Sequence, residues 1–201
     1  MMRVIRLLVC GVCFLAGGKI FAQTSSVALQ YSATVTDVQD SNNLLQGQVY
    51  VGEVLTGTYV FATPATNKSV RPGVGTFDFT TSSSSCSLQA GSLIFGSDPS
   101  SPFLRLEVLK HVSDGTSSKR NSLVIHSYNN QALSSGVPVD DISWQIDDFQ
   151  NQASISTSMP TDAPNLSNYS SVFGLTISGA LPDDPAQSYL IKAKVTSISK
   201  Q

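Results

Sequence analysis

Between Val27 and Ile198 the chain is written as short stretches in which apolar and polar residues alternate, separated by clusters of Gly, Pro, Asn, Asp and Ser. Alternation with a period of two places one residue set on each face of a strand, and turn residues every 10–20 positions then reverse the chain. Val27–Val38 is the first such stretch, with Leu29, Tyr31, Ala33 and Val35 on one face. Strands are expected next at 48–53, 55–62 and 75–80, and over 86–95, where Gly91 points to two strands or one bent one. The stretch 103–112 places Leu104, Leu106, Val108 and Val112 inward, and 122–128 returns from it after Ser113-Asp114-Gly115-Thr116, so the two form a hairpin. Further strands are expected at 139–146, 153–156, 172–177 and 188–198. Helical periodicity is absent. The expectation is an all-β fold of about ten strands in a two-sheet antiparallel, jelly-roll-like β-sandwich.

The first 22 residues do not belong to that pattern. Met1–Arg6 is a short basic start, Leu7–Ala16 is almost wholly apolar, Gly17-Gly18 breaks it, and Ala22 precedes Gln23. This is the three-part form of an export signal cleaved near Ala22. The apolar run is too short to span a bilayer, so no permanent membrane anchor is expected. The division is therefore 1–22 signal peptide and 23–201 a single domain, secreted or periplasmic. Neither Cys10 nor Cys13 follows the small residue that lipidation requires, because Val9 and Val12 precede them.

Cleavage changes the balance of charge and sulfur. The 12 basic residues fall to 9 against 14 acidic ones, a net charge of −5. No basic stripe remains, so nucleic acid is excluded as a partner class. Cys86 becomes the sole cysteine, expected as a small buried core residue, so no intramolecular disulfide can form. A domain of this length buries enough surface to fold without one.

One run carries a resemblance. Val51-Gly52-Glu53-Val54-Leu55-Thr56-Gly57-Thr58-Tyr59-Val60-Phe61, behind a first strand of the Tyr-x-Ala-x-Val-Thr type, resembles bacterial secreted β-sandwich proteins of the PEP-CTERM, exosortase-sorted group. Ser127-Tyr128-Asn129-Asn130, Ile142–Asp148 and Ser171–Leu175 look similar to the same group. The resemblance implies a secreted sandwich over most of 27–198, and no catalytic residue comes with it. A sorted member would end in Val-Pro-Glu-Pro, an apolar span and a basic tail. Here Ser199-Lys200-Gln201 follows the last strand, so a free rather than membrane-sorted protein is expected.

Three acid pairs, Asp140-Asp141, Asp147-Asp148 and Asp183-Asp184, are the candidates for a cofactor, since calcium prefers clustered oxygen ligands in loops at strand ends. The first two flank a strand about 15 Å long and cannot share an ion. No Asp-x-Asp-x-Asp-Gly spacing is present, and solvated loop acids are the plainer expectation. His111 and His126 fall on the two strands of the hairpin. A symmetric loop would set His111 opposite Ser122, about 13 Å from His126, too far for a shared zinc. No Gly-x-Ser-x-Gly elbow or activated serine is evident, so no catalytic residue is assigned. Trp144 is in register with Ile142 and Ile146, and Tyr59 with Phe61, so both are expected in the core rather than on a sugar-stacking platform. Asn67, Asn165 and Asn168 head glycosylation-type triplets that a Ser-rich chain produces by chance.

Few charges and many hydroxyls suit a surface that bonds water or polysaccharide rather than a charged partner, and polysaccharide or another surface protein is the expected partner. A non-enzymatic exported module is therefore expected, with a carbohydrate-active or calcium-stabilised enzyme as the alternative. One internal echo remains: Ala33-Thr34-Val35-Thr36-Asp37-Val38 near the start and Ala193-Lys194-Val195-Thr196-Ser197-Ile198 near the end. Two similarly buried neighbouring strands would account for it better than duplication.

Overall fold

A computed structural model describes residues 25–113, 119–151, 153 and 155–201. The export signal expected over 1–22 lies outside the described residues, as does most of the turn after Ser113. Ten strands are described: β1 Ser25–Gln39, β2 Val54–Thr63, β3 Val74–Phe79, β4 Ser85–Ala90, β5 Leu93–Gly96, β6 Leu104–Ser113, β7 Lys119–Ser127, β8 Asp141–Asp148, β9 Ser170–Leu181 and β10 Asp184–Lys200. A single 3-10 turn, Leu166–Asn168, is the only helical element among the described residues, and no described helix is long and apolar enough to cross a membrane.

All ten strands join one antiparallel sheet in the order β3-β6-β7-β8-β9-β10-β1-β2-β4-β5. The order is not closed, because β3 and β5 stand at its two ends. Seven strand spacings separate β3 from β2, about 34 Å in a flat sheet. Yet Phe61 on β2 and Phe79 on β3 have ring centres 5.5 Å apart. Tyr59 on β2 reaches Trp144 on β8 at 6.1 Å, and Phe95 on β5 reaches Tyr189 on β10 at 6.4 Å. The sheet therefore curls over itself and encloses one apolar core.

The alternation expected in the sequence produces that core. Leu29, Tyr31, Ala33 and Val35 are all buried, as are Leu104, Leu106 and Val108. Gly91, at φ +55°, turns 86–95 into the hairpin β4–β5. The echo pairs with itself, since Ala33 opposes Val195 and Val35 opposes Ala193 at the middle of the sheet. Two expected strands are absent. Residues 48–53 form no strand and turn at Val51-Gly52, where Gly52 takes φ +93°, although Val49 still enters the core. The described part of 153–156 is irregular, and Ala153 is tied down by a bond from its N–H to Asp148.

The β6–β7 hairpin is present in a different register. Leu109, not His111, opposes Ser122, because a bulge at Lys110-His111 absorbs extra residues and His111 takes φ +52°. Val112, expected inward, is only partly buried beyond that bulge.

Candidate functional site

The outward face carries a polar row that crosses seven strands. Successive cross-strand partners are Asp78 on β3, Arg105 on β6, His126 on β7, Ser143 on β8, Thr176 on β9, Lys192 on β10 and Asp37 on β1. Directly opposed residues of an antiparallel pair point to the same face, so these seven side chains stand side by side.

One end of the row is locked by charge. Arg105 donates to both carboxylate oxygens of Asp78, at 2.7 and 3.2 Å, and Lys68 stands 3.4 Å from the same group. Hydrogen bonds from Arg105 hold the Asp78 carboxyl below the usual range. Farther along, His126 Nδ1 lies 3.3 Å from Asp141 Oδ1. Its ring stacks on Tyr128 with centres 5.2 Å apart and planes within 7°, and Tyr128 in turn packs on Phe103. His126 is thereby held in one orientation at the rim of the row.

Beyond His126 the face is notched. Gly174 on β9 has no side chain and a φ of +54°, and it opposes Gln145. It floors a cavity of about 270 Å3 lined by Val124, His126, Ser143, Gln145, Thr176 and Lys192. Gly174 also marks where the sheet divides. Described pairing of β9 with β10 stops at Leu175–Ala193, whereas β9 continues beside β8 as far as Asp147–Ser170. A wider cavity of about 590 Å3 lies in this split, lined by Ile146, Leu166, Tyr169, Ser170, Lys194 and Thr196, with Val195 beneath. Lys192 and Lys194 alternate on one face of β10, so the notch and the split follow one another along that strand, about 7 Å apart.

The acid pairs occupy three different environments. Asp140 precedes β8 and Asp141 begins it, and Asp141 serves His126. Asp183 and Asp184 are exposed in the β9–β10 turn, beyond the same end of the sheet. Asp147 and Asp148, expected to be solvated, are buried. Adjacent strand residues point to opposite faces, so the two carboxylates diverge. Asp147 accepts from Ser122 Oγ at 2.6 Å and Gln145 Nε2 at 2.8 Å, with Arg120 Nε at 3.3 Å. Asp148 accepts from Asn121 Nδ2 and from the N–H groups of Gln150 and Ala153, and so shapes the chain after β8. Among the described residues no group of three or more His, Cys, Asp or Glu is placed to hold a metal.

Trp144 and Tyr59 are buried, as their register predicts, and Tyr31 and Tyr189 join them. Tyr128 and Tyr50 are the exposed tyrosines, and only Tyr128 adjoins the row. Cys86 lies in the core with its thiol pushed up to about 12 by burial. Sequence reasoning missed both the notch and the buried Asp147. A glycine inside the apolar run Val172–Leu175 was the available signal for the notch, since strand glycines mark bulges and close approaches.

Comparison with known proteins returned no match to a family model, a curated protein or a solved structure.

Proposed function

We propose that this chain is an exported, non-enzymatic β-sandwich protein that binds polysaccharide along the β9–β10 seam of its outer face. The curled sheet supports a two-layer sandwich, since its ring contacts join strands four to seven places apart in the sheet only if one half lies over the other. Export rests on the tripartite first 22 residues.

One observation carries the binding reading: the notch at Gly174 opens beside the continuous row of side chains and is ringed by an amide, two hydroxyls, an imidazole and an ammonium. Such groups bond sugar hydroxyls, and a shallow groove running into a second cavity fits a linear chain rather than a small molecule. Tyr128, stacked on His126, orients the imidazole toward the groove. The two carboxylates of each acid pair either diverge or lie at a turn, so a non-catalytic role fits better than hydrolysis by a converging pair.

Retention of residues 23–201 on immobilised polysaccharides tests the reading. Binding to at least one glycan is expected, and Thr176→Trp, which fills the notch, should abolish it while the melting temperature holds. Absence of binding across neutral and acidic glycans would rule the reading out.

A further inference from the structure

We infer that the seam selects acidic polysaccharides, those bearing uronate or similar anionic groups, through Lys192 and Lys194; the inference rests on the glycan-binding reading above. In a chain of net charge −2, none of the residues lining the notch or the adjoining split is an aspartate or glutamate. Each cavity holds one lysine. The two ammonium groups project from the same face of one rigid strand, and neither lysine forms an ion pair with a described residue.

Nearby carboxylates hold other partners, although the amide bonded to Asp37 leaves its charge in place. Asp141 is taken by His126, Asp147 is buried under Ser122, Gln145 and Arg120, and Asp37 beside Lys192 accepts from Gln39 Nε2 at 2.9 Å. Lys194 opposes the neutral Thr34 and faces the groove as a positive group, whereas Lys192 shares its row with the charge of Asp37. The two lysines are separated by one strand repeat, about 7 Å. Carboxylates recur along an acidic glycan, so one chain can engage both lysines, the second contact then being intramolecular.

Affinity electrophoresis of residues 23–201 through gels holding polygalacturonate, or dextran as the neutral control, tests the inference. Retardation by polygalacturonate is expected, weakening between low and high salt as exposed charges are screened. The double variant Lys192→Gln/Lys194→Gln should bind polygalacturonate roughly tenfold more weakly while keeping its melting temperature. Equal, salt-independent retardation by dextran would overturn the charge selection and leave glycan binding standing. Retardation by neither gel, nor by any other immobilised polysaccharide, would overturn both. Polygalacturonate binding that survives in the double variant would place the site elsewhere and overturn the assignment to these lysines.

Discussion

Tyr31 on β1 lies directly across from Gly57 on β2, its ring end filling the space that a side chain at 57 would need. A methyl group there would meet the Tyr31 hydroxyl at 2.7 Å and the backbone of β4. Tyr189 and its partner Gly179 repeat the arrangement on β10 and β9. Core tyrosines are thus seated on bare backbone, and the two glycines are packing residues rather than turn residues. Gly57→Ala should cost about 2 kcal/mol by overpacking, lowering the melting temperature by roughly 4–8 °C for a domain of this size. Melting followed by circular dichroism checks this; an unchanged midpoint would mean that the Tyr31 ring has room to move.

Tyr31 and Tyr59 stack with ring centres 5.1 Å apart, and both hydroxyls are buried without a partner in hydrogen-bonding geometry. They lie close enough to each other and to the Cys86 thiol to influence ionisation, and burial raises all three groups. A buried hydroxyl without a partner costs stability. Tyr59→Phe should therefore leave the fold unchanged or stabilise it by about 1 kcal/mol, read from urea denaturation. A clear loss would show that the hydroxyl holds a bond.

With its thiol pushed up to about 12, Cys86 stays protonated in the folded state. Residues 23–201 should therefore react with a thiol reagent at neutral pH only after unfolding, releasing one equivalent. The same shift fixes a pH trend. Stability associated with Cys86 is fully present below the ordinary thiol value of 9.0 and is lost as pH rises from there toward about 12. Tyr31, Tyr59 and Tyr189 are shifted upward by burial and act in the same direction above pH ~10. The melting temperature should vary little from pH 7 to 9 on account of these groups and then fall.

Asp147 and Asp183 separate a buried acid from an exposed one. Asp147→Ala deprives Ser122, Gln145 and Arg120 of a shared acceptor and should cost about 3 kcal/mol. Asp183→Ala, at the β9–β10 turn, should stay within about 0.5 kcal/mol of the parent. Paired urea curves test the contrast, and equal costs would mean that the Asp147 cluster contributes nothing.

Much of the fold was legible because strand alternation is a local property. Leu29, Tyr31, Ala33 and Val35 declare a buried face without reference to any other strand, and Trp144 declares its own through Ile142 and Ile146. The site was not legible, because it is made by register. His126, Ser143, Thr176 and Lys192 come from four strands and become neighbours only through pairings that a bulge can move. The β6–β7 hairpin shows how: two residues at Lys110-His111 shift every expected partner of β7. Asp147 illustrates the converse. Its sequence context is an acid pair, and what buries it is Ser122 and Arg120 on the neighbouring strand together with Gln145 two residues away on its own.

The pairing of β1 with β10, Leu29 opposite Lys200, has a consequence for the order of events in the chain's life. The centre of the sheet joins segments about as far apart as the sequence allows, and the strands on either side depend on that seam. A ribosome or a translocation channel releases such a chain from one end, so its central pairing must wait for the last strand to emerge. Folding should be slow, set by loop closure over the whole length, and late. Under the export proposed above, that delay would keep the chain thin enough to pass a translocation channel.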